Sequence, residues 1–319
     1  MAAGNSTGMT RRQVLGAGLG LRAALLGGAP SVLAQIATPA ATPAGAKSID
    51  TLHGPVSIPA NPQRIVSLHF PIAVAMLELD VIPVGRPTYL PAFPEGHPSG
   101  DDIPTIDEAN GNLDLEKIIS LKPDLIIGDD WLDPSQQNAP YRKLTAIAPT
   151  ILFEWKSAAG NWEAEAAGTA EALGKTKELD AQRAAYDAQA EDVKKAYADT
   201  LKTFKWDVIS GDGGNWYLYS ANSSHGKVVA HAGITFAAAA NQTDGFAEYS
   251  YEQFDLLKDF DALLISAPST EILDVPTFKA LPAVQAGHVF TSDYFFPSSY
   301  GLSTALLDDI TKEPASLKG

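Results

Sequence analysis

Between residues 176 and 201 the chain has neither glycine nor proline, although it holds 26 glycines and 22 prolines elsewhere. Within that stretch Tyr186, Ala190, Val193, Tyr197 and Leu201 follow one another at steps of four, three, four and four, which is a single stripe along an α-helix. At 1.5 Å per residue the helix is predicted to be about 40 Å long. A helix of that length is a rod between two lobes rather than part of one, and the flanking sequence agrees. Ahead of it, apolar runs at 65–68, 81–84, 125–127 and 151–153 read as strands, alternating with helical patterns at 73–79, 115–121 and 141–147. Residues 162–173 form a further helical pattern, stopped by Gly174 as a C-cap. After the rod, runs at 207–209, 228–232, 262–265 and 289–291 resume the strand rhythm. Strands alternating with helices predict an α/β fold with mostly parallel sheets.

The N-terminal region reads differently. Arg11 and Arg12 precede an Ala- and Gly-rich apolar stretch that ends in Val32-Leu33-Ala34, the pattern of a twin-arginine-type export signal over residues 1–34. Residues 35–48 are rich in proline and alanine and read as a tether. The expected boundaries are then an N-terminal lobe over 49–158, a helical segment with the rod over 159–202, and a C-terminal lobe over 203–319. The net charge of −15 lacks the clustered cations that nucleic acid requires. With no cysteine, disulfides, thiolate metal sites and lipidation on cysteine are excluded.

An internal echo supports two lobes. Glu116 is followed by an apolar helical run, Leu121-Lys122, Asp124 and a strand; Glu252 is followed by an apolar helical run, Leu257-Lys258, Asp261 and a strand. Several stretches then carry a resemblance: residues 61–68 (NPQRIVSL), 115–128 (LEKIISLKPDLIIG), 144–150 (LTAIAPT), 172–175 (ALGK) and 281–289 (LPAVQAGHV). Together they resemble the class III solute-binding proteins of ABC importers, the ferric-siderophore and cobalamin type, over roughly residues 49 to 311. The resemblance implies two Rossmann-like lobes bridged by one long helix, with the ligand in a cleft between them. It also implies a monomer without enzymatic activity or intrinsic cofactor, whose cargo is an iron chelate, and one glutamate per lobe, here Glu116 and Glu252, that docks on the membrane permease.

Ligands of open α/β sheets sit beyond the carboxyl ends of strands. The candidates for the cleft are therefore His69 with Phe70, Arg86, Tyr89, Trp131, Trp155, Trp216, Tyr219, His225, and Tyr294 with Phe295 and Phe296. Aromatic walls suit flat or greasy ligands, and Arg86 is expected to face the negative charge of a chelate. The scattered histidines make no direct metal site. The chelate class stays open among catecholate, hydroxamate and carboxylate, with haem and cobalamin as alternatives. A secreted hydrolase is the rival from another class. Its support is the paired acids Asp101-Asp102, Asp129-Asp130 and Asp308-Asp309, which read as solvated turns in a chain without a GxSxG, Walker or GxGxxG motif.

Overall fold

The computed structural model describes residues 45–107, 112–130, 140–155, 160–236 and 244–312. The export signal, most of the tether and Trp131 lie outside the described residues. The first described element is a hairpin, β1 (Lys47–Thr51) with β2 (Gly54–Ile58), so Lys47 and Ser48 belong to a strand rather than to a tether.

The N-terminal lobe is built on three parallel strands, β3 (Ile65–Ser67), β4 (Leu125–Asp129) and β5 (Thr150–Phe153), in the order β3-β4-β5. Around them lie α1 (Phe70–Glu78), α2 (Leu115–Ser120) and α3 (Pro140–Thr145). Alternation along β4 fixes the layering. Leu125 and Ile127 enter one apolar cluster with Ile49, Ile65, Ile72 and Met76, while Ile126 enters the cluster on the other face with Val66, Ile118 and Leu144. The strand expected at 81–84 does not form as one. Pro83 has no N–H to donate, and the segment keeps only two ladder-like bonds to β3, Val84 N–H to Ile65 and Ser67 N–H to Gly85.

Helix α4 (Trp162–Leu173) ends at Gly174, whose φ of 70° is the left-handed cap that glycine adopts without strain. Helix α5 (Thr176–Ala196) carries the expected stripe, with Tyr186, Ala190 and Val193 buried. It is shorter than predicted. Tyr197 leaves helical geometry (φ −122°, ψ 18°), and a separate helix α6 (Ala198–Thr203) follows. The 21 residues of α5 make a rod of about 31 Å. Leu201 is still buried, so the break at Tyr197 re-aims the last turn without exposing its apolar face.

The C-terminal lobe holds five strands, β6 (Trp206–Asp212), β7 (Asn215–Tyr219), β8 (Phe246–Ser250), β9 (Ala262–Ser266) and β10 (Val289–Ser292), in the order β10-β9-β6-β7-β8. Strands β10, β9 and β6 are parallel, while β7 and β8 are antiparallel additions. The stretch expected as a strand at 228–232 lies in a helix, α7 (Ser224–His231). Ser223 starts it by accepting from Gly226 N–H, and this N-cap outweighs the β-branched Val228 and Val229. The lobe is completed by 3-10 turns at Tyr251–Leu257 and Ala267–Asp274, short helices α8 (Pro276–Lys279) and α9 (Pro282–Gln285), and α10 (Tyr300–Lys312). One face of the sheet buries Ile209, Trp216, Phe254 and Leu263. The other buries Val208, Ala262 and Leu264 in a cluster that also takes in α4, α5, α7 and α10, together with Ala75 and Leu79 from α1 and the residue just after it. The two sheets thus share one helical layer.

The internal echo is also a structural one. Asp124 accepts the N–H groups of Gln63 and Arg64 at 2.8 and 2.9 Å, directly before β3, and its own N–H donates to Arg64. Asp261 accepts the N–H of Lys205 at 2.8 Å, directly before β6, and its own N–H donates to Lys205. In each lobe an aspartate before one parallel strand ties down the start of its neighbour. Asp124→Ala is expected to cost about 1–2 kcal/mol in urea denaturation, and Asp261→Ala less, because it strands one donor instead of two. Equal losses would show that the bonds do not set the difference.

Candidate functional site

The carboxyl ends of β3, β4 and β5 gather an aromatic row. His69 follows β3 and is the N-cap residue of α1, where its ring is not spent on the helix backbone. Its Nδ1 lies 2.5 Å from Oδ2 of Asp129, the buried last residue of β4. Trp155 follows β5; its N–H donates to Asp130 Oδ1 at 2.5 Å, and its ring meets His69 edge-on at 5.0 Å. Phe70 meets His69 at 4.7 Å, and Tyr89 meets Phe70 at 5.1 Å, both edge-on. Tyr89 is 56% exposed, so the row opens to solvent at that end. Of the expected cleft residues, the structure brings together His69, Tyr89 and Trp155.

Beneath the row lies an acid that sequence reasoning missed. Glu165 of α4 is 1% exposed, and neither carboxylate oxygen makes a hydrogen bond of ordinary geometry. Burial, and then the nearby charge of Asp129, push its pKa up to about 8, with the Asn161 amide pulling weakly the other way. Asp129 was missed too, as one of a pair read as a solvated turn. Its place directly after the apolar 125–127 run was the available signal.

Arg86 is not placed as expected. It is 8% exposed, and it donates from Nε to the carbonyl of Gly100 and from Nη1 to the carbonyls of Pro87 and Thr88. The segment after it is rich in proline and has carbonyls without strand partners; the planar guanidinium satisfies three of them at once. Arg86 is scaffolding for the loop that presents Tyr89.

In the C-terminal lobe the expected residues are more deeply placed than a cleft requires. Trp216 is fully buried, stacked on Tyr249 at 4.8 Å, with Nε1 donating to the carbonyl of Ser250. It is core on one face of the sheet. Tyr219 is 5% exposed and its hydroxyl lies 3.0 Å from Ser210 Oγ. His225 is fully buried, stacked on Phe295 at 4.3 Å and edge-on to Tyr219 at 4.2 Å. Burial lowers its pKa to about 3, so the imidazole is neutral and serves as a flat packing piece. The aromatic side chains closer to solvent in this group are Phe296, Tyr294 and Phe246, the last 37% exposed. Phe296 packs edge-on to Tyr219 at 5.7 Å, and Tyr294 is half-buried with its N–H donating to Ser292 Oγ.

Glu116 and Glu252 are both exposed, and each is the second residue of a helical turn. Asp114 caps the first by accepting from Lys117 N–H at 2.9 Å, and Ser250 caps the second in a capping box with Gln253. The carboxylates thus lie at favourable helix starts, with no hydrogen bond or ion pair among the described residues.

Two α/β lobes on a shared helical layer, with aromatic side chains gathered after strand ends, define a lobed solute-binding protein. The chain belongs to the periplasmic binding protein family, whose model matches residues 85–294. It is 31% identical over 187 residues to the Fe(3+)-citrate-binding protein YfmC of Bacillus subtilis, a match spanning 56% of each chain. It is 29% identical over 261 residues to the probable siderophore-binding lipoprotein YfiY of the same organism, covering 74% of this chain and 77% of YfiY. Among solved structures it is similar to the siderophore periplasmic binding protein of the fuscachelin gene cluster of Thermobifida fusca. That match has 26% identity and a TM-score of 0.70, over 81% of this chain and 98% of the other. The family is one of binding proteins, in agreement with the expectation of a chain that is not an enzyme. No helix among the described residues is long and apolar enough to cross a membrane.

Proposed function

We propose that this chain is an exported, extracytoplasmic solute-binding protein that captures a ferric siderophore between its lobes and delivers it to an ABC importer. The observation that carries the reading is the row formed by Trp155, His69, Phe70 and Tyr89, in a chain that aligns with 98% of a siderophore-binding structure. Aromatic edges and faces suit a large chelate, and a few polar groups then fix its orientation. The imidazole of His69, held by Asp129, is such a group. The chelate is cargo and not a cofactor. The short rod α5 and the shared helical layer favour small lobe rotations on capture, rather than wide closure. Glu116 and Glu252 provide one exposed carboxylate per lobe for docking on the permease, which gives orientation more than affinity. A twin-arginine-type leader and a monomeric state complete the reading.

The test is a titration of the protein with ferric desferrioxamine B, a ferric tris-catecholate, ferric citrate, haemin and cyanocobalamin, following tryptophan fluorescence. One ferric chelate is expected to quench strongly. Trp155→Phe is expected to remove most of that quenching and weaken binding about tenfold, a loss of about 1.4 kcal/mol. The core Trp216→Phe is expected to leave affinity unchanged. Binding of haemin or cyanocobalamin alone, or turnover of a chromogenic ester without any chelate response, would overturn the proposal.

A further inference from the structure

Tyr89, at the open end of the aromatic row, is carried by a segment with little structure of its own. Residues 87–104 hold five prolines and form neither helix nor strand, and proline brings no N–H to a backbone bond. On one side of Tyr89 the chain is tied down, by the bonds of Arg86 and by Thr88, whose N–H donates to Asp107 Oδ1. On the other side, no hydrogen bond joins residues 89–93 to the rest of the described chain. An open pocket of about 430 Å³ also lies against the segment, lined in part by Arg86, Leu90, Phe93, His97 and Ser99. The next fixed point after Tyr89 is His97.

The segment therefore meets α1 at both ends of that helix. Tyr89 packs on Phe70, the first residue of α1. His97 Nε2 stands 3.7 Å from the carboxylate of Glu78, the last residue of α1. Glu78 in turn accepts from Ser299 Oγ and Gly301 N–H at the start of α10. A methyl group on Gly301 would meet both the Glu78 carboxylate and His97 Nε2, so the imidazole is seated against α10 as well. Phe93 stacks on its ring at 5.7 Å. His97 Nδ1 is buried with no hydrogen bond among the described residues, a cost that an apolar ring would avoid. What the imidazole adds is the nitrogen beside Glu78, where it favours the charged carboxyl against burial.

We infer that His97 is a positioning residue for cargo capture: seated on Glu78, it fixes the far end of the segment that holds Tyr89 in the row. The inference rests on the reading that the row meets the cargo, and adds how its most exposed member is kept in place. A contact side chain already held in its bound position loses less freedom on capture, and the saving appears as affinity. Because Ser299 and Gly301 belong to the C-terminal lobe, the junction sets Tyr89 relative to both lobes.

The experiment titrates the full chain with ferric desferrioxamine B, a ferric tris-catecholate and ferric citrate, reading Kd from tryptophan quenching. The variants are Tyr89→Ala, His97→Ala, His97→Phe and the double mutant of the two alanine substitutions, each with its melting temperature. Tyr89→Ala is expected to weaken binding of the quenching chelate about tenfold, and His97→Ala about fivefold. The double mutant is expected to bind no more weakly than Tyr89→Ala alone, because His97 acts through Tyr89. The fall in melting temperature caused by His97→Ala is expected to be the same in both backgrounds. His97→Phe keeps a ring against Phe93 without the nitrogen beside Glu78, and is expected to match His97→Ala in affinity. Additive losses in the double mutant, or wild-type affinity in either His97 variant, would overturn the inference and leave the capture reading standing. Wild-type affinity in Tyr89→Ala, or no quenching by any of the three chelates, would overturn the capture reading at this row and the inference with it.

Discussion

Glu165→Gln is expected to make the protein more stable, by an amount that grows with pH. The wild-type carboxyl is buried and its pKa is about 8, against an ordinary value of 4.5. Between those values the folded chain holds a proton that the unfolded chain has released, so unfolding is favoured increasingly as pH rises. A raised acid of this kind contributes its full stability below pH 4.5 and loses it as pH climbs toward 8. Each unit of separation is about 1.4 kcal/mol, so the total is on the order of 3–5 kcal/mol at pH 8 and above. The neutral amide has the same shape and no proton to lose. Melting temperatures of wild type and variant should therefore converge near pH 4.5 and differ by on the order of 10 °C near pH 8. A difference that is flat with pH would mean that Glu165 is not the acid described. Since Asp129 contributes to the shift and holds His69, the stability cost lies directly under the proposed cargo site.

The second large effect is expected at Glu78, the last residue of α1. Its carboxylate accepts from Ser299 Oγ at 2.5 Å and from Gly301 N–H at 3.0 Å, at the start of α10, while its own carbonyl accepts from Gln182 of α5 at 2.7 Å. His97 Nε2 stands 3.7 Å away. One side chain thus ties a helix of the first lobe to the C-terminal helix. Glu78→Ala leaves the Gly301 N–H and the Ser299 hydroxyl without their acceptor, and is expected to cost about 3 kcal/mol. Burial raises the carboxyl pKa, opposed by Ser299, Gly301 and His97, so the site tolerates a neutral acceptor better than none. Glu78→Gln is accordingly expected to cost less than alanine. Gly301→Ala probes the same contact from the other side, because a methyl there would collide with the Glu78 carboxylate. Urea denaturation reads all three, and equal losses for Gln and Ala would sink the account.

Much of the architecture was legible because period and punctuation decide it locally. Residues 162–173 with Gly174, the stripe of α5, and the 125–127 run before Gly128 are patterns that neighbours in sequence complete. The misreadings share a cause. Val228 and Val229 favour strands by themselves, but Ser223 five residues earlier starts a helix there, and Pro83 removes the donor that a strand at 81–84 needed. The bend at Tyr197 has no glycine or proline to announce it.

The candidate site was legible only as a location. Position after a strand found His69 and Trp155, because chain direction fixes which end of a parallel sheet is open. It did not tell cleft from core. Trp216, Tyr219 and His225 stand near strand ends too, yet side chains from 246–254 and 295–296 cover them, and these are far away in sequence. Arg86 reads as a cation for an anionic cargo until its three carbonyl partners are seen. Glu165 reads as one more surface acid on a helix, since nothing in its neighbours shows that α4 turns it inward.

The apolar layer that runs from Ala75 through α4 and α5 to Leu307 has a thermodynamic corollary. Neither half can melt by itself without exposing the other half's interior, so calorimetry should record a single endotherm, with its calorimetric and van't Hoff enthalpies equal. Fragments cut between Thr203 and Trp206 should stay unstructured apart and regain structure only when mixed. In a chain without cysteine, that shared apolar layer joins the halves with no disulfide.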